Sequence, residues 1–418
     1  MVPKGWESTP LKSLLCTPVK NGYSPNAVEQ KTGYVVLGLG ALTDHTLNTA
    51  NIKNVEASEQ VIKTQLCHGD FLISRSNTPD KVGRSVMFRG EIPNCSYPDL
   101  MMKFRANESL VDPYYLEIFL QSAKIRQYFK NCAAGSSSSM VKINKSVVEK
   151  TPILKPLLPE QRKIAKILST WDKAIAITEK LIEASKQQKK SLIQQLLTGK
   201  KRLVNPDTGK AFDGEWEEIE LSHFFDRVTE KNKGQSTNVV TISAQHGLIR
   251  QEEFFKKSVA SETLDNYFIL RKGQFAYNKS YSNGYPMGAI KRLNRYEDAV
   301  VTSLYICFEL KNEQFASSCF MEQYFESGLL NRGLTKVAAE GGRAHGLLNV
   351  KPSDFMALAI TAPQLNEQQK IASVLTAADK EIEALQAKLT HFKQEKKALM
   401  QQLLTGKRHV KVDEMEAA

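Results

Sequence analysis

No run in this 418-residue chain is long and apolar enough to span a membrane. The opening, MVPKGWESTP, has neither the basic flank nor the apolar core of a secretory signal. Six cysteines (16, 67, 95, 132, 307, 319) show no CxxC spacing and no pairing with histidine. That reads as reduced thiols in a cytoplasmic protein and speaks against zinc or any other metal site. The phosphate loop GxxxxGK[ST] is missing, as are HExxH and GxSxG, and the GLG at 38–40 lacks the third glycine of a dinucleotide fingerprint. The seven histidines are scattered, and no pair of carboxylates recurs at matched positions. The expectation is a chain with no catalytic residues and no cofactor of its own. Proline and glycine are also absent from two stretches, 160–198 and 367–405, which leaves each free to form one uninterrupted helix.

Those two stretches resemble each other. Shifting the chain by 207 residues lays EQRKIAKILSTWDKAI (160–175) on EQQKIASVLTAADKEI (367–382), and KQQKKSLIQQLLTGK (186–200) on KQEKKALMQQLLTGK (393–407). Of the 41 positions from 160 to 200, 21 are identical in the second copy. Upstream the likeness survives as pattern: GDFLISRS (69–76) resembles GQFAYNKS (273–280), and GWES (5–8) resembles GEWEE (214–218). The chain is therefore a tandem duplication of a variable domain followed by a more uniform helix, with a period far too long for a solenoid. The expected boundaries are domain 1–159, helix 160–202, domain 203–366, helix 367–408 and a tail 409–418.

A 4-3-4-3 spacing in the first helix picks out Ile164, Leu168, Trp171, Ile175, Thr178, Ile182, Ser185, Lys189, Leu192 and Leu196. The same register in the second gives Ile371, Leu375, Ala378, Ile382, Leu385, Leu389, Phe392, Lys396, Leu399 and Leu403. These are heptad seams, and they predict that the helices pair with each other rather than each packing on its own domain. Prolines 156, 159 and 363 mark the helix starts, and Gly199 and Gly406 mark the ends. A helix of ~38 residues is ~57 Å long at ~1.5 Å per residue. A connecting domain of this size is ~40 Å across and has its termini close together, so the helices should run antiparallel. The expected class is α+β: two α/β domains separated by an antiparallel coiled coil, with approximate two-fold symmetry. Net charge is +12, of which +7 falls in 160–202 and +3 in 367–408. That excess suits either solvated helix faces or a surface turned toward a polyanion or an acidic partner.

The variable domains read as short strands punctuated by Gly, Asn, Asp and Pro: 34–40, 70–74, 85–88, 239–243, 274–278 and 305–310. One helix is expected in each before the shared glycine, at 113–132 and 317–334. Polar loops recur at the same points of both copies, but their residues differ. SRSNTPDKVGRS (74–85) offers Arg75, Asn77, Lys81 and Arg84; GSSSSMVKINK (135–145) offers Ser136 and Lys142. In the second copy 278–292 offers Lys279, Tyr281 and Asn283, and 340–351 offers Arg343 and His345. Such donors reach phosphates and base edges. One scaffold carried twice with different polar loops suits a reader of two different DNA sequences. A coiled-coil adaptor with protein-binding ends is the alternative, and a self-contained nuclease or methyltransferase a more distant one.

LLPEQRKIAKIL (157–168) and QLNEQQKIASVL (364–375), each opening a long helix that ends in QQLLTGK, resemble the specificity subunits of type I restriction–modification systems. The second copy has Asn366 where the first has Pro159, a departure confined to the helix entry. The resemblance covers essentially the whole chain. It implies that each variable domain is a target recognition domain for half of a bipartite double-stranded DNA site. It implies that the helices fix the gap and hold two adenine-methylating modification subunits, and that two restriction subunits complete a translocating nuclease. S-adenosylmethionine, ATP and magnesium then belong to those partners.

Overall fold

The computed structural model describes residues 2–137, 140–255, 263–338 and 348–412. The chain divides into two compact units, Met1–Glu179 with Lys388–Ala418, and Lys180–Ala387. Both divisions fall inside a long helix and not at the expected domain edges. The physical reason is that the two ends of each helix are buried in different cores, as described below for each unit.

In the first unit a four-stranded antiparallel sheet has the order Leu15–Asn21, Met101–Ala106, Asp70–Ser74, Ser85–Met87. In the second unit the order is Phe225–Val228, Ile306–Leu310, Phe275–Asn278, Ala289–Arg292. The central strands carry stacked phenylalanines at equivalent places: Phe71 on Phe104 at 5.2 Å in one unit and Phe275 on Phe308 at 5.4 Å in the other. Each unit also closes its ends with a two-stranded ribbon, Glu7–Pro10 with Pro152–Lys155 and Glu217–Glu220 with Ala359–Ala362. The strands expected from the sequence fall where strands form. The expected single helices do not. Each is two helices, Pro113–Gln121 and Ala123–Cys132, then Ser318–Glu326 and Asn331–Ala338. Ser122 is extended (φ −63°, ψ 148°) and stops the first, while Gly328 at φ +77° lies in the break of the second.

The long helices are Leu158–Leu196 and Leu365–Leu403, 39 residues each. The first starts two residues earlier than expected and takes Pro159 into its opening turn, where no backbone N–H is needed. All twenty seam positions are buried or half-buried, whereas most other mid-helix residues are exposed. Within the first unit Ile164 and Leu168, near the start of one helix, share a core with Leu403 and Leu404, at the end of the other. Trp171 meets Phe392 edge-on at 5.6 Å, and Lys393 meets Glu179 at 2.8 Å. Within the second unit Leu196 and Leu197 share a core with Ile371, Ala372 and Leu375. Both units therefore pair the helices antiparallel. Each fully buried Leu or Ile contributes about 1.5–3 kcal/mol, so the seam more than offsets the weak intrinsic stability of a lone helix.

Polar seam residues find reciprocal partners. Asp172 pairs with Lys396 in the first unit, and Asp379 pairs with Lys189 in the second. These four residues are two pairs of equivalents under the 207-residue shift. The same holds at the helix starts: Glu160 lies 3.1 Å from His409, and the Arg202 guanidinium grips both oxygens of Glu367 at 2.7 Å. The glutamine that follows each glutamate ties the helix to its domain. The Gln161 carboxamide accepts the N–H of Asp112 at 2.9 Å and donates to the Pro156 carbonyl at 2.9 Å. Gln368 does the same with Ser317 and Pro363, at 3.0 and 2.8 Å. Asp112 and Ser317 are in turn the N-caps of the domain helices. The amide side chain supplies both the acceptor and the donor that this position needs, which the isosteric glutamate carboxylate would not.

The repeated QQLLTGK ends each helix on a left-handed glycine, Gly199 at φ +69° and Gly406 at φ +65°. Trp216 lies against Gly199, and Pro3 and Trp6 lie against Gly406.

Lys396 is 7% exposed, while the Asp172 side chain is 45% exposed. Asp172→Ala leaves an ammonium buried without its partner and should cost about 3 kcal/mol. Lys396→Met leaves only a hydrated carboxylate and should cost less than about 1 kcal/mol. Urea unfolding followed by circular dichroism checks the order, and an equal or larger loss for Lys396→Met contradicts it.

Cys95 and Cys307 are buried, and burial pushes both thiols up to about 12. At pH 8 they stay protonated and unreactive. Ellman's reagent should reach no more than Cys16, Cys67, Cys132 and Cys319 in the folded chain, and all six after unfolding.

Candidate nucleic-acid interface

The strand register decides which loops meet. In the first unit Leu15–Asn21 and Asp70–Ser74 both run antiparallel to Met101–Ala106, so they are parallel to each other. Asn21 and Ile73 both face Met102, and Ser74 faces Met101. The chain therefore leaves both strands at one end of the sheet. There the segment Ser76–Asn77 pairs with Met140–Lys142, which pairs with Ala134–Ser137. Ile143 N–H adds a bond to the Arg75 carbonyl at 2.9 Å. Two polar loops more than fifty residues apart in sequence thus form one three-stranded sheet.

The second unit repeats the plan. Phe225–Val228 and Phe275–Asn278 are both antiparallel to Ile306–Leu310, with Val228 opposite Cys307 and Tyr277 opposite Ile306. The turn after Asn278 folds on itself through Ser282 and Tyr285. Gly288, at φ +80°, lets the returning strand pass over Asn278, whose carbonyl a Cβ would approach to 2.2 Å. Leu348 N–H bonds the Lys279 carbonyl at 3.0 Å, which brings the segment after the second domain helix to the same place.

The candidate residues divide by what holds them. Asn77 is 7% exposed and spends its amide on Ser74 and the Thr78 N–H, so it is a bracket under the loop and not an accessible donor. Arg84 forks onto Asp44 at 2.8 and 3.1 Å. Arg75 donates to the Asp99 carbonyl at 3.2 Å, and Ser24 also bonds the Asp99 carboxylate. Lys279 reaches the Val350 carbonyl at 3.4 Å. These side chains shape the loops.

Lys81, Lys142, Tyr281 and Asn283 are exposed, Tyr281 by 66%. Lys81 stands on a stiff turn. Thr78 bonds Asp80 at 2.6 Å and holds its carboxyl below the usual range, while Arg126 donates to the carbonyls of Asp80 and Val82. Ser136 lies in strand Ala134–Ser137, but its side chain falls outside the described residues, as do Arg343 and His345. The reading from sequence missed the turns after Asn21 and Val228, which share the sheet end with the loops above. No motif marks them; only the strand order does.

Among the described residues no group of three or more His, Cys, Asp and Glu is placed to hold a metal ion, and no helix is long and apolar enough to cross a membrane. Among the described residues the perturbed groups are tyrosines, buried thiols and part-buried arginines, with Asp80 lowered by its bond from Thr78 and Glu322 raised by burial, rather than a nucleophile set beside a base. The sheet end of each unit is a hydrogen-bonded platform with accessible polar side chains, Lys81 and Lys142 in the first and Tyr281 and Asn283 in the second.

Residues 3–187 match the family description "Type I restriction modification DNA specificity domain". The chain is 26% identical over 433 residues to a Methanocaldococcus jannaschii protein provisionally named the MjaX type I restriction enzyme specificity subunit, covering 98% of this chain and 95% of that one. It is 27% identical over 331 residues to the MjaVIII type I restriction enzyme specificity subunit of the same organism, covering 74% of each. The S subunit of a type I restriction–modification system from M. genitalium shares the fold at 13% identity, with a TM-score of 0.59 over 96% of this chain and 99% of that one. A chain from a study of complex assembly in the type I system matches at 14% identity and a TM-score of 0.53, over 97% and 98%. The matched segment 3–187 spans the first domain and most of its helix, and the second half of the chain repeats the four-stranded sheet, the two-stranded ribbon and the long helix. Over residues 3–187, and along nearly its whole length in the first of those relatives, the chain is similar to the specificity subunits of type I restriction–modification systems.

Proposed function

We propose that each unit reads one half of a bipartite double-stranded DNA site through the loops at its sheet end. The observation that carries this reading is the contrast inside the chain. Two units share the order of the four-stranded sheet, core phenylalanines, glutamine ties and helix ends, yet differ in the polar residues that face solvent at the equivalent sheet end. A duplicated scaffold with unlike loops reads two unlike half-sites.

Helices Leu158–Leu196 and Leu365–Leu403 belong to both units, and in this proposal their length sets the unread gap between half-sites. Their outer faces would dock two modification subunits, which methylate adenine after flipping it from the duplex. Two restriction subunits would complete the nuclease. S-adenosylmethionine, ATP and magnesium are assigned to those partners. The chain's own contribution is positioning: phosphate contacts hold the register, and side chains at the loop tips select bases.

Exchanging residues 203–366 for those of a related subunit should change one half of the methylated site and leave the other half intact. Sequencing of adenine methylation in a host carrying the system reads this directly, and a change in both halves contradicts independent reading. Removing one heptad from each helix, 179–185 and 386–392, should alter the gap and not the half-site sequences. An unaltered gap in the methylated site sinks the proposed ruler.

A further inference from the structure

We infer that Lys233 is a DNA-phosphate contact of the second unit, presented by a strained turn that the first unit lacks. The inference rests on the DNA-reading function proposed above. The strand Phe225–Val228 leaves its sheet at the same end as Phe275–Asn278, because both are antiparallel to Ile306–Leu310. The turn at 229–236 therefore stands at the sheet end that carries Tyr281 and Asn283.

This turn is built to be stiff. Asn232 is 1% exposed; its carboxamide accepts from the Ser236 N–H and donates to the Ser236 carbonyl, both at 2.9 Å. Its backbone N–H bonds the Tyr267 carbonyl at 2.9 Å. Lys231 is fully engaged, lying 4.1 Å from the Phe268 ring centre and donating to the Asn266 carbonyl at 2.7 Å. Arg271 bonds Gln235 at 2.8 Å and lies 3.6 Å from Glu230, while the Lys233 N–H bonds the carbonyl of Asp265, an exposed acid, at 3.4 Å. Lys233, unlike Lys231, faces water. It is exposed, at φ +44°, directly before Gly234 at φ +79°.

Among the described residues the other non-glycine at positive φ is Asn94, a residue type that tolerates the left-handed region. Lysine does not, and a glycine there would relieve the backbone at no steric cost. A cation held in an unfavourable backbone conformation on a rigid turn points to a role for its charge. In the first unit the corresponding turn lies flat on the sheet: Gly22 N–H bonds the Met101 carbonyl, and a Cβ at Gly22 would come within 2.1 Å of the Tyr97 carbonyl. Tyr23 and Ser24 follow, and no lysine stands on top.

The test uses the full chain assembled with its methyltransferase partners, on duplex bearing the methylated site, from about 50 to about 300 mM salt. Lys233→Gly should lower the slope of log K against log salt by about 0.9, the amount expected for one lost phosphate contact. The methylated sequence should stay the same, and the melting temperature should hold or rise as the turn relaxes. Lys233→Arg should keep the slope of the parent. An unchanged slope in Lys233→Gly, with a salt-dependent parent, overturns the inference and leaves the DNA-reading function standing. A parent complex whose binding shows no salt dependence overturns the function itself, and the inference with it.

Discussion

A lysine in the middle of an apolar helix seam has to meet a carboxylate, and much of this protein follows from where it does. Lys396 is buried against Asp172 in the first unit, and Lys189 is held by Asp379 in the second. The four residues are equivalent in pairs, so the helices must run antiparallel and in one register for both lysines to be satisfied. A slip of one heptad would strand two ammonium groups among leucines, at several kcal/mol each. Apolar seam residues contribute most of the stability, but Leu–Leu contacts tolerate alternative registers and the charged pairs do not.

The register then fixes where the helix starts lie, and the glutamate and glutamine at each start carry that order into the domains. Glu367 is held by Arg202, and Glu160 by His409, so the end of one helix clamps the beginning of the other. The two clamps are not chemically alike. The guanidinium stays charged across the physiological range, whereas an imidazole bonds an anion as a cation only when protonated. Gln161 and Gln368 each satisfy two backbone groups, one of them the N-cap residue of a domain helix. The domains are thus hydrogen-bonded to the helices as well as packed on them.

On that frame the loops are free to diverge. Phe71, Phe104, Phe275 and Phe308 hold the two sheets in the same form. At the sheet ends, however, the first unit builds a small three-stranded sheet around Ser76 and Lys142, and the second a hairpin turn capped by Tyr281 and Asn283. Differences there cost little stability because the residues face water, and they change what can be recognised.

The duplication, the heptad seam, the helix ends at Gly199 and Gly406 and most strands are legible in the sequence, because each rests on local periodicity or on a residue with a single conformational role. The seam could be counted off at 4-3-4-3 without knowing what lay across from it. Other features depend on partners far away in the chain. Asn77 and Arg84 look like surface donors until Ser74 and Asp44 are seen to occupy them. Gln161 looks like one more polar residue at a helix start until Asp112 arrives beside it. Lys233 looks like any loop lysine until strand order places its turn at the sheet end that carries Tyr281 and its backbone proves left-handed. Sequence by itself determined the repeated unit and its helices, since hydrophobic period and chain geometry act over a few residues. Only the tertiary structure decided which polar side chains are spent internally and which remain accessible, because that depends on hydrogen-bond partners brought together by folding.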